Sequence, residues 1–344
     1  MEVGKDTLMK IDFVVTWLDS SDPQWQAEFA KYKSQTAGRT EADRFRNWGL
    51  FRYWFRAVEA YAPWVNKVFL VTNGKFPDWI NENHPKLVLV RHSDYIPERF
   101  LPTFNSRTIE MFFHRMPGLS EFFVYFNDDC YLNAPITPKY YFRKGLPCDC
   151  NLESCLNVPT YTKADKFDIY ISMLADIGVI NAHFNRYQTV KQSLRRWYGW
   201  HLGLKGIIFS LLLGRQRKFV GFGFMHWEHP MLKSTFEELW SQEPELLESS
   251  CTTFREDLTL NPYVFRYWQF ASNKFYPVKA NSGRMWILTE SYIDKIASSL
   301  SDNRIKSLCL NDVSLCSEEE FIRMRDAVQS LFAKKFPKMS SFEN

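Results

Sequence analysis

Four short apolar runs constrain this chain more than any other feature, and three of them run straight into polar turn residues. Ile11–Leu18 (IDFVVTWL) leads into Asp19-Ser20-Ser21-Asp22-Pro23, Val65–Thr72 (VNKVFLVT) into Asn73-Gly74, and Glu121–Phe126 (EFFVYF) into Asn127-Asp128-Asp129. Leu87–Arg91 (LVLVR) is the fourth. Apolar, β-branched runs bounded by turn formers read as buried strands. Helical patterns lie between them. Trp25, Phe29 and Tyr32 recur at three- and four-residue steps over 23–37, residues 44–61 are amphipathic up to Pro63, and 105–116 continues the series. Strand and helix in alternation imply βαβ units and a largely parallel sheet, a Rossmann-like α/β core. Ligands of such sheets sit beyond the carboxyl ends of the strands, where these polar clusters fall.

The rest of the chain is less regular. Helices are expected at 164–177, 188–212, 231–248 and 262–272, with Pro262 suited to a helix start. A final helix begins near Ser317, acidic at its start and basic at its end, as the helix dipole favours. The pattern divides the chain into an α/β core at 1–133 and 220–316, a helical insertion at 134–219 and a C-terminal helix at 317–344. No apolar run approaches the roughly 18 residues of a membrane span, and the N-terminus lacks the apolar stretch of a secretory signal. Gly206–Leu213 (GIIFSLLL), followed by Arg215, Arg217 and Lys218, reads as a buried helix, with a surface-seeking segment as the alternative.

The 43 Lys and Arg against 39 Asp and Glu leave a net charge of only +4, with no basic arm, which argues against a nucleic-acid partner. The chain carries no phosphate loop of the G-x-x-x-x-G-K-[ST] type, no G-x-G-x-x-G and no G-x-S-x-G, so kinase, nicotinamide-enzyme and serine-hydrolase readings are poor. Cys148, Cys150 and Cys155 lack the paired spacing of a zinc site and read as reduced thiols.

Five constellations can carry chemistry, and each has a plainer reading. Adjacent Asp128 and Asp129 at a strand end repel one another unless a cation joins them, or they are two exposed turn residues. Asp19 and Asp22 can face a metal or a ribose, or cap the helix that follows. His226 and His229 offer a general base near neutrality, or are a structural pair at the junction before a helix. Arg255, in Phe254-Arg255-Glu256-Asp257, can clamp a phosphate or serve an ordinary salt bridge. Cys309-Leu310-Asn311-Asp312 says little by itself.

Their order says more. The chain resembles the Stealth family of sugar-phosphate transferases, which includes bacterial capsular and exopolysaccharide phosphotransferases and the GlcNAc-1-phosphotransferase that marks lysosomal enzymes. Four blocks carry the likeness over roughly half the chain. IDFVVTWLDSSDP at 11–23 is similar to the family's I-D-x-V-x-T-W-V-[DN]-G-[ST]-D-P, with Leu18 and Ser20 replacing Val and Gly. The second block runs through Arg44-Phe45-Arg46-Asn47, APWVNKVFLVTNGKFPDWIN at 62–81, His92-Ser93-Asp94, LPTFNSRTIE at 101–110 and YFNDD at 125–129. The third is His226-x-x-His229 with Phe254-Arg255-Glu256-Asp257, and the fourth is Cys309-Leu310-Asn311-Asp312.

The resemblance implies a GT-A-like nucleotide-sugar core. It implies transfer of a hexose-1-phosphate from a UDP-sugar to a glycan hydroxyl, forming a phosphodiester and releasing UMP. It makes His229 and Arg255 catalytic, and lines the nucleotide and metal region with Asp19, Asp22, Asp128, Asp129, Asn311 and Asp312. Within that reading Asp128, Asp129 and Asp312 hold a divalent cation, Mg2+ or Mn2+. Arg44 and Arg46 face the diphosphate, with helix-surface salt bridges as their plainer reading, and Asn105 and Ser106 bond sugar or phosphate. The expected acceptor is a lipid-linked or growing glycan, the setting the cytoplasm, and peripheral contact with the inner membrane face stays open. The competing readings are a nucleotide-sugar glycosyltransferase that releases UDP and a non-catalytic glycan binder using the 17% of aromatic residues.

Overall fold

The computed structural model describes residues 9–34, 46–155, 167–223, 226–256, 259–280, 283–312 and 317–344. The four expected strands form as β1 (Ile11–Thr16), β2 (Val68–Thr72), β3 (Leu87–Arg91) and β4 (Phe122–Phe126). Further short strands follow: β5 (Cys130–Leu132), β6 (Phe142–Arg143), β7 (Leu146–Asp149), β8 (His229–Leu232), β9 (Tyr276–Pro277), β10 (Arg284–Ile287) and β11 (Ser307–Asn311). The main sheet has the order β3-β2-β1-β4-β8. Its first four strands are parallel and only β8 runs the other way. The α/β class with a largely parallel sheet is therefore as the sequence implied.

Alternation along the strands builds two apolar layers, because successive side chains leave opposite faces. Phe13, Val15, Val124 and Phe126 face one layer, where the Phe51–Tyr61 and Glu318–Lys335 helices pack. Val14, Phe123 and Tyr125 face the other, covered by the Phe167–His183, Lys233–Gln242 and Tyr263–Ala271 helices.

Several expected helices differ, and the one at 188–212 breaks into Arg186–Gln192, Leu194–Trp197 and Gly203–Leu213, with Gly203 at φ +67 where the last begins. The 44–61 helix starts only at Phe51. Gly49 adopts φ +67, a conformation L side chains rarely take, and a Cβ there would meet the Gln329 amide. The 231–248 helix begins as the antiparallel strand β8, and Pro244 then divides the remainder into Lys233–Gln242 and Pro244–Ser249. Pro lacks the N–H an unbroken helix needs there. The Gly206–Leu213 segment is helical, but it is not the buried helix expected: Leu211 and Leu212 are exposed.

A second sheet, β10-β11-β5, positions the remaining motif. β11 pairs antiparallel with β5 (Cys309 opposite Cys130), and the Leu310 N–H donates to the Asp129 carbonyl at 2.9 Å. The chain's last chemical motif is thus carried to the end of β4.

Candidate active site

Backbone direction comes first. The parallel strands release their chains at one edge, and there Asp19 follows β1, Lys75 follows β2, and Asp128 and Asp129 follow β4. The β11–Asp129 bond adds Asn311 and Asp312 to the same edge. Aromatic packing brings in the rest. Phe29 of the Pro23–Lys33 helix meets Phe104 and Phe254 edge-on, and those two rings stack at 5.1 Å. Phe104 adjoins Asn105 and Ser106, and Phe254 adjoins Arg255. The Arg255 guanidinium donates to the Ser106 hydroxyl at 2.6 Å. Residues about 150 positions apart are joined by this contact.

The carboxylates differ in their surroundings. The Asp129 carboxylate lies 3.4 Å from His226 Nε2. Burial works against the Asp129 charge, but His226 and two nearby thiols outweigh it and hold the carboxyl below its usual range. The same partner holds His226 above its usual value, although burial opposes its charge too. Asp128 gets only weaker help from His226. Close packing and the Asp129 charge push it up to about 7, while its exposure to solvent screens part of that repulsion. Glu110 is also pushed up to about 7 by burial, partly offset by Arg255, a hydrogen bond from Tyr125, Arg107 and His226.

His229 sits in β8 opposite Tyr125, on the same face of the sheet. Its Nε2 is 3.4 Å from the Tyr263 hydroxyl. It also lines a cavity of ≈ 380 Å³ with Tyr140, Arg143, Trp227 and Lys279 among the walls. Tyr125 and Tyr263 both feel the Glu110 charge, so His229, Tyr125, Tyr263 and Glu110 form one neighbourhood.

The remaining expected residues fall into two groups. Asp19 accepts from Lys75 Nζ at 2.7 Å; burial opposes its charge, but Lys75 and Ser21 keep it ionised. Asp312 is 3.6 Å from Arg46 and accepts from the Trp48 indole at 3.1 Å. Asn311 ends β11. These lie at the sheet edge. Asp22 and Asn105 instead cap helices: Asp22 accepts from the N–H groups of Gln24 and Trp25, and the buried Asn105 accepts from that of Arg107. Arg44 and Asp257 lie outside the described residues.

Two contributors were not singled out from sequence, and a third was named there only jointly with another residue. Glu110 ends the LPTFNSRTIE block, Lys75 follows the Asn73-Gly74 turn, and His226 was read only as the partner of His229. Each lay within a quoted motif, and only three-dimensional proximity distinguishes it there.

A divalent cation suits this edge. Asp128 and Asp129 offer hard oxygen donors, and the Asp129 charge, which adds to burial in raising the Asp128 carboxyl, is one a cation would neutralise. Among the described residues, Asp129, Cys130 and Cys309 also bring ligand atoms within 4.8 Å of one another. Their thiols are poor donors as they stand. Although the Cys130 bond favours the Cys309 thiolate, burial and the Asp129 charge push Cys309 up to about 12.

Comparison with known proteins supports the family that the sequence blocks suggested. Residues 44–148 match the family described as Stealth protein CR2, conserved region 2. A receptor polysaccharide phosphotransferase, WefC of Streptococcus oralis, is 37% identical over 342 residues, spanning 97% of this chain and 99% of its own. A capsular polysaccharide phosphotransferase, WcwK of Streptococcus pneumoniae, is 36% identical over 340 residues, with 97% and 99% covered. Among solved structures, the galactosyltransferase LgtC aligns over 93% of this chain and 95% of its own at 10% identity, with a TM-score of 0.37. That likeness is too loose to transfer any residue.

Proposed function

The chain belongs to the Stealth family of polysaccharide phosphotransferases, and from that membership we propose that it transfers a hexose-1-phosphate from a UDP-sugar to a hydroxyl of a cell-surface glycan. The acceptor oxygen attacks the phosphorus that carries the hexose. A new P–O bond forms, the bridging P–O bond to the uridylyl phosphate breaks, and UMP leaves. The acceptor proton passes to His229 Nε2, a transfer typically worth about 10²–10⁴-fold in rate. Arg255, oriented by Ser106, holds the phosphate oxygens as their charge builds. Asp128, Asp129 and Asp312, the last paired with Arg46, would hold a divalent cation (Mg2+ or Mn2+). When bound, the cation neutralises diphosphate charge. Asp19 and Asn311 face the nucleotide. The cavity beside His229 accommodates acceptor sugar, with Tyr140 and Trp227 as apolar walls. The cytoplasm is the compartment this chemistry suits, because UDP-sugars are made there.

One observation carries this reading. Arg255, His226, Glu110 and the paired aspartates, drawn from four separate segments, lie close enough at the carboxyl edge of a parallel sheet to influence one another's charge. The test is mass spectrometry of products after incubation with UDP-sugars, Mg2+ or Mn2+ and a lipid-linked glycan. UMP and an acceptor heavier by a hexose phosphate are expected. UDP as the only nucleotide product would replace this reading with glycosyl transfer.

A further inference from the structure

The Gly203–Leu213 helix is built inside out. Its small residues, Gly206 and Ser210, are buried. Leu204, Ile208, Leu211 and Leu212 stand 66%, 49%, 58% and 80% exposed. Their spacing of four, seven and eight residues puts them on one face of a helix. Trp200, in the turn just before it, is 80% exposed. The inner face is tightly held. A Cβ on Gly206 would meet Leu152 at 2.7 Å, and Ser210 donates to Glu153 while its carbonyl accepts from Arg186. The leucines therefore cannot turn inward without breaking a close-packed, ion-paired seat. A contiguous apolar face of this kind marks an interaction surface.

Charge identifies the partner. Between residues 177 and 227 there is no Asp or Glu, but there are eight of the chain's 43 Lys and Arg. The other 35 share the remainder with all 39 acidic residues, so that remainder is net −4 while this stretch is +8. Arg195, Lys205, Arg215 and Arg217 are exposed around the helix. A second copy would bring two such cationic surfaces together, which like-charge repulsion opposes. Among the described residues no helix is long and apolar enough to cross a membrane, and 11 residues reach only about 17 Å. An apolar face flanked by cations suits the plane of an anionic bilayer, with the aliphatic side chains in the acyl boundary and the cations at the headgroups.

We propose that the Trp200–Leu213 segment is an interfacial anchor that docks this enzyme on an anionic lipid surface. The anchor lies next to the active edge: Ile207 on the helix and Trp227, between His226 and Glu228, pack on the same small cluster of Cys150 and Leu202. Docking therefore holds the active edge near the bilayer.

Flotation of the full chain with vesicles tests this. One set is phosphatidylcholine with about a quarter phosphatidylglycerol, the other phosphatidylcholine alone. Binding is expected to the anionic set at low salt and to weaken at high salt. Leu211→Glu with Leu212→Glu should lower it at least about tenfold. Lys205→Ala and Arg215→Ala should each lower it about fivefold. Because all four side chains face solvent, circular dichroism and melting should match the parent chain. Failure of the parent chain to float with anionic vesicles would overturn the proposal. So would undiminished flotation of the double Glu variant, or light scattering showing a parent dimer that this variant dissolves.

Discussion

The carboxyl edge of the main sheet and the lobe formed by β7 with the Arg186–Gln192 and Tyr263–Ala271 helices treat charge in opposite ways. In the lobe, two deeply buried charge pairs are matched, one of them in the seat of the Gly203–Leu213 helix. Arg186 grips Glu153 through two bonds of 2.6 and 2.7 Å with both side chains fully buried, and Arg266 grips Asp149 in the same forked manner. At the sheet edge, matching is incomplete: Asp19, Asp129 and Asp312 have cationic partners, but Asp128 abuts Asp129, and Glu110 is held near neutrality. Forked Arg–carboxylate pairs serve architecture. Carboxyls pushed off their normal values in a cleft serve ligands or proton transfer. Mutations should therefore separate the two regions, with stability lost in one and turnover in the other.

The largest effect is expected at the edge. Asp128→Asn with Asp129→Asn should cut turnover by about 10³-fold or more, because the carboxylates left at the edge, Asp19 and Asp312, are already paired with Lys75 and Arg46 and cannot hold the cation alone. Thermal melting of the cation-free protein should fall by only a few degrees, since the Asp128–Asp129 repulsion is lost together with the Asp129–His226 contact. A double variant that unfolds instead, or that turns over normally in excess chelator, would break the division between the regions.

In the lobe the expectation reverses. Arg186→Met strands the Glu153 carboxylate in a fully buried site and should cost about 3–5 kcal/mol of unfolding free energy. Adding Glu153→Leu should recover most of that, because an apolar pair of similar volume needs no compensation. Denaturant titration of both variants decides it. Turnover per folded molecule on a soluble acceptor should stay within a few-fold of the parent.

This contrast also explains what could be read from sequence. β1 to β4 were legible because buried parallel strands are apolar runs, and their acidic ends mark the edge whatever the strand order. β8 was not, since His229-Pro230-Met231-Leu232 is four residues long and begins with a histidine and a proline. The lobe's ion pairs were invisible: Glu153 and Arg186 are 33 residues apart, Asp149 and Arg266 are 117, and no periodicity links them. The helix after Trp200 was misread because apolarity indicates burial only when the other face is polar. Here the other face is Gly206 and Ser210, which say nothing by themselves. Glu110 was hidden for the same reason as the pairs, since its neighbours Arg255, Tyr125 and His226 come from other motifs.

Glu110 gives a smaller, pH-dependent effect. Tyr95, Arg107, Tyr125, His226, Arg255 and Tyr263 surround it electrostatically. Its carboxyl sits near 7, above the ordinary value of 4.5, so the fold favours its protonated form. Whatever stability this provides is present in acid and is lost as pH rises through 7. If the ionised form assists the reaction, kcat/KM should climb up to tenfold per unit between about pH 5.5 and 7 and then level off. Glu110→Gln should flatten that limb. An unchanged profile would move Glu110 from the working edge to the supporting architecture.

Asp22 gives the smallest effect and the finest division, since it stands beside the edge yet caps the Pro23–Lys33 helix. Its bonds to the N–H groups of Gln24 and Trp25, at 3.3 and 3.4 Å, are long ones. Asp22→Ala should cost about 1 kcal/mol, near the middle of what lost caps cost. Asp22→Asn keeps an accepting oxygen without the charge and should restore most of that stability. If capping is all Asp22 does, the Asn variant also keeps the parent KM for UDP-sugar. A KM raised severalfold in Asp22→Asn, with melting unchanged, would place Asp22 with Asp19 among the nucleotide-facing residues and widen the unbalanced edge by one carboxylate.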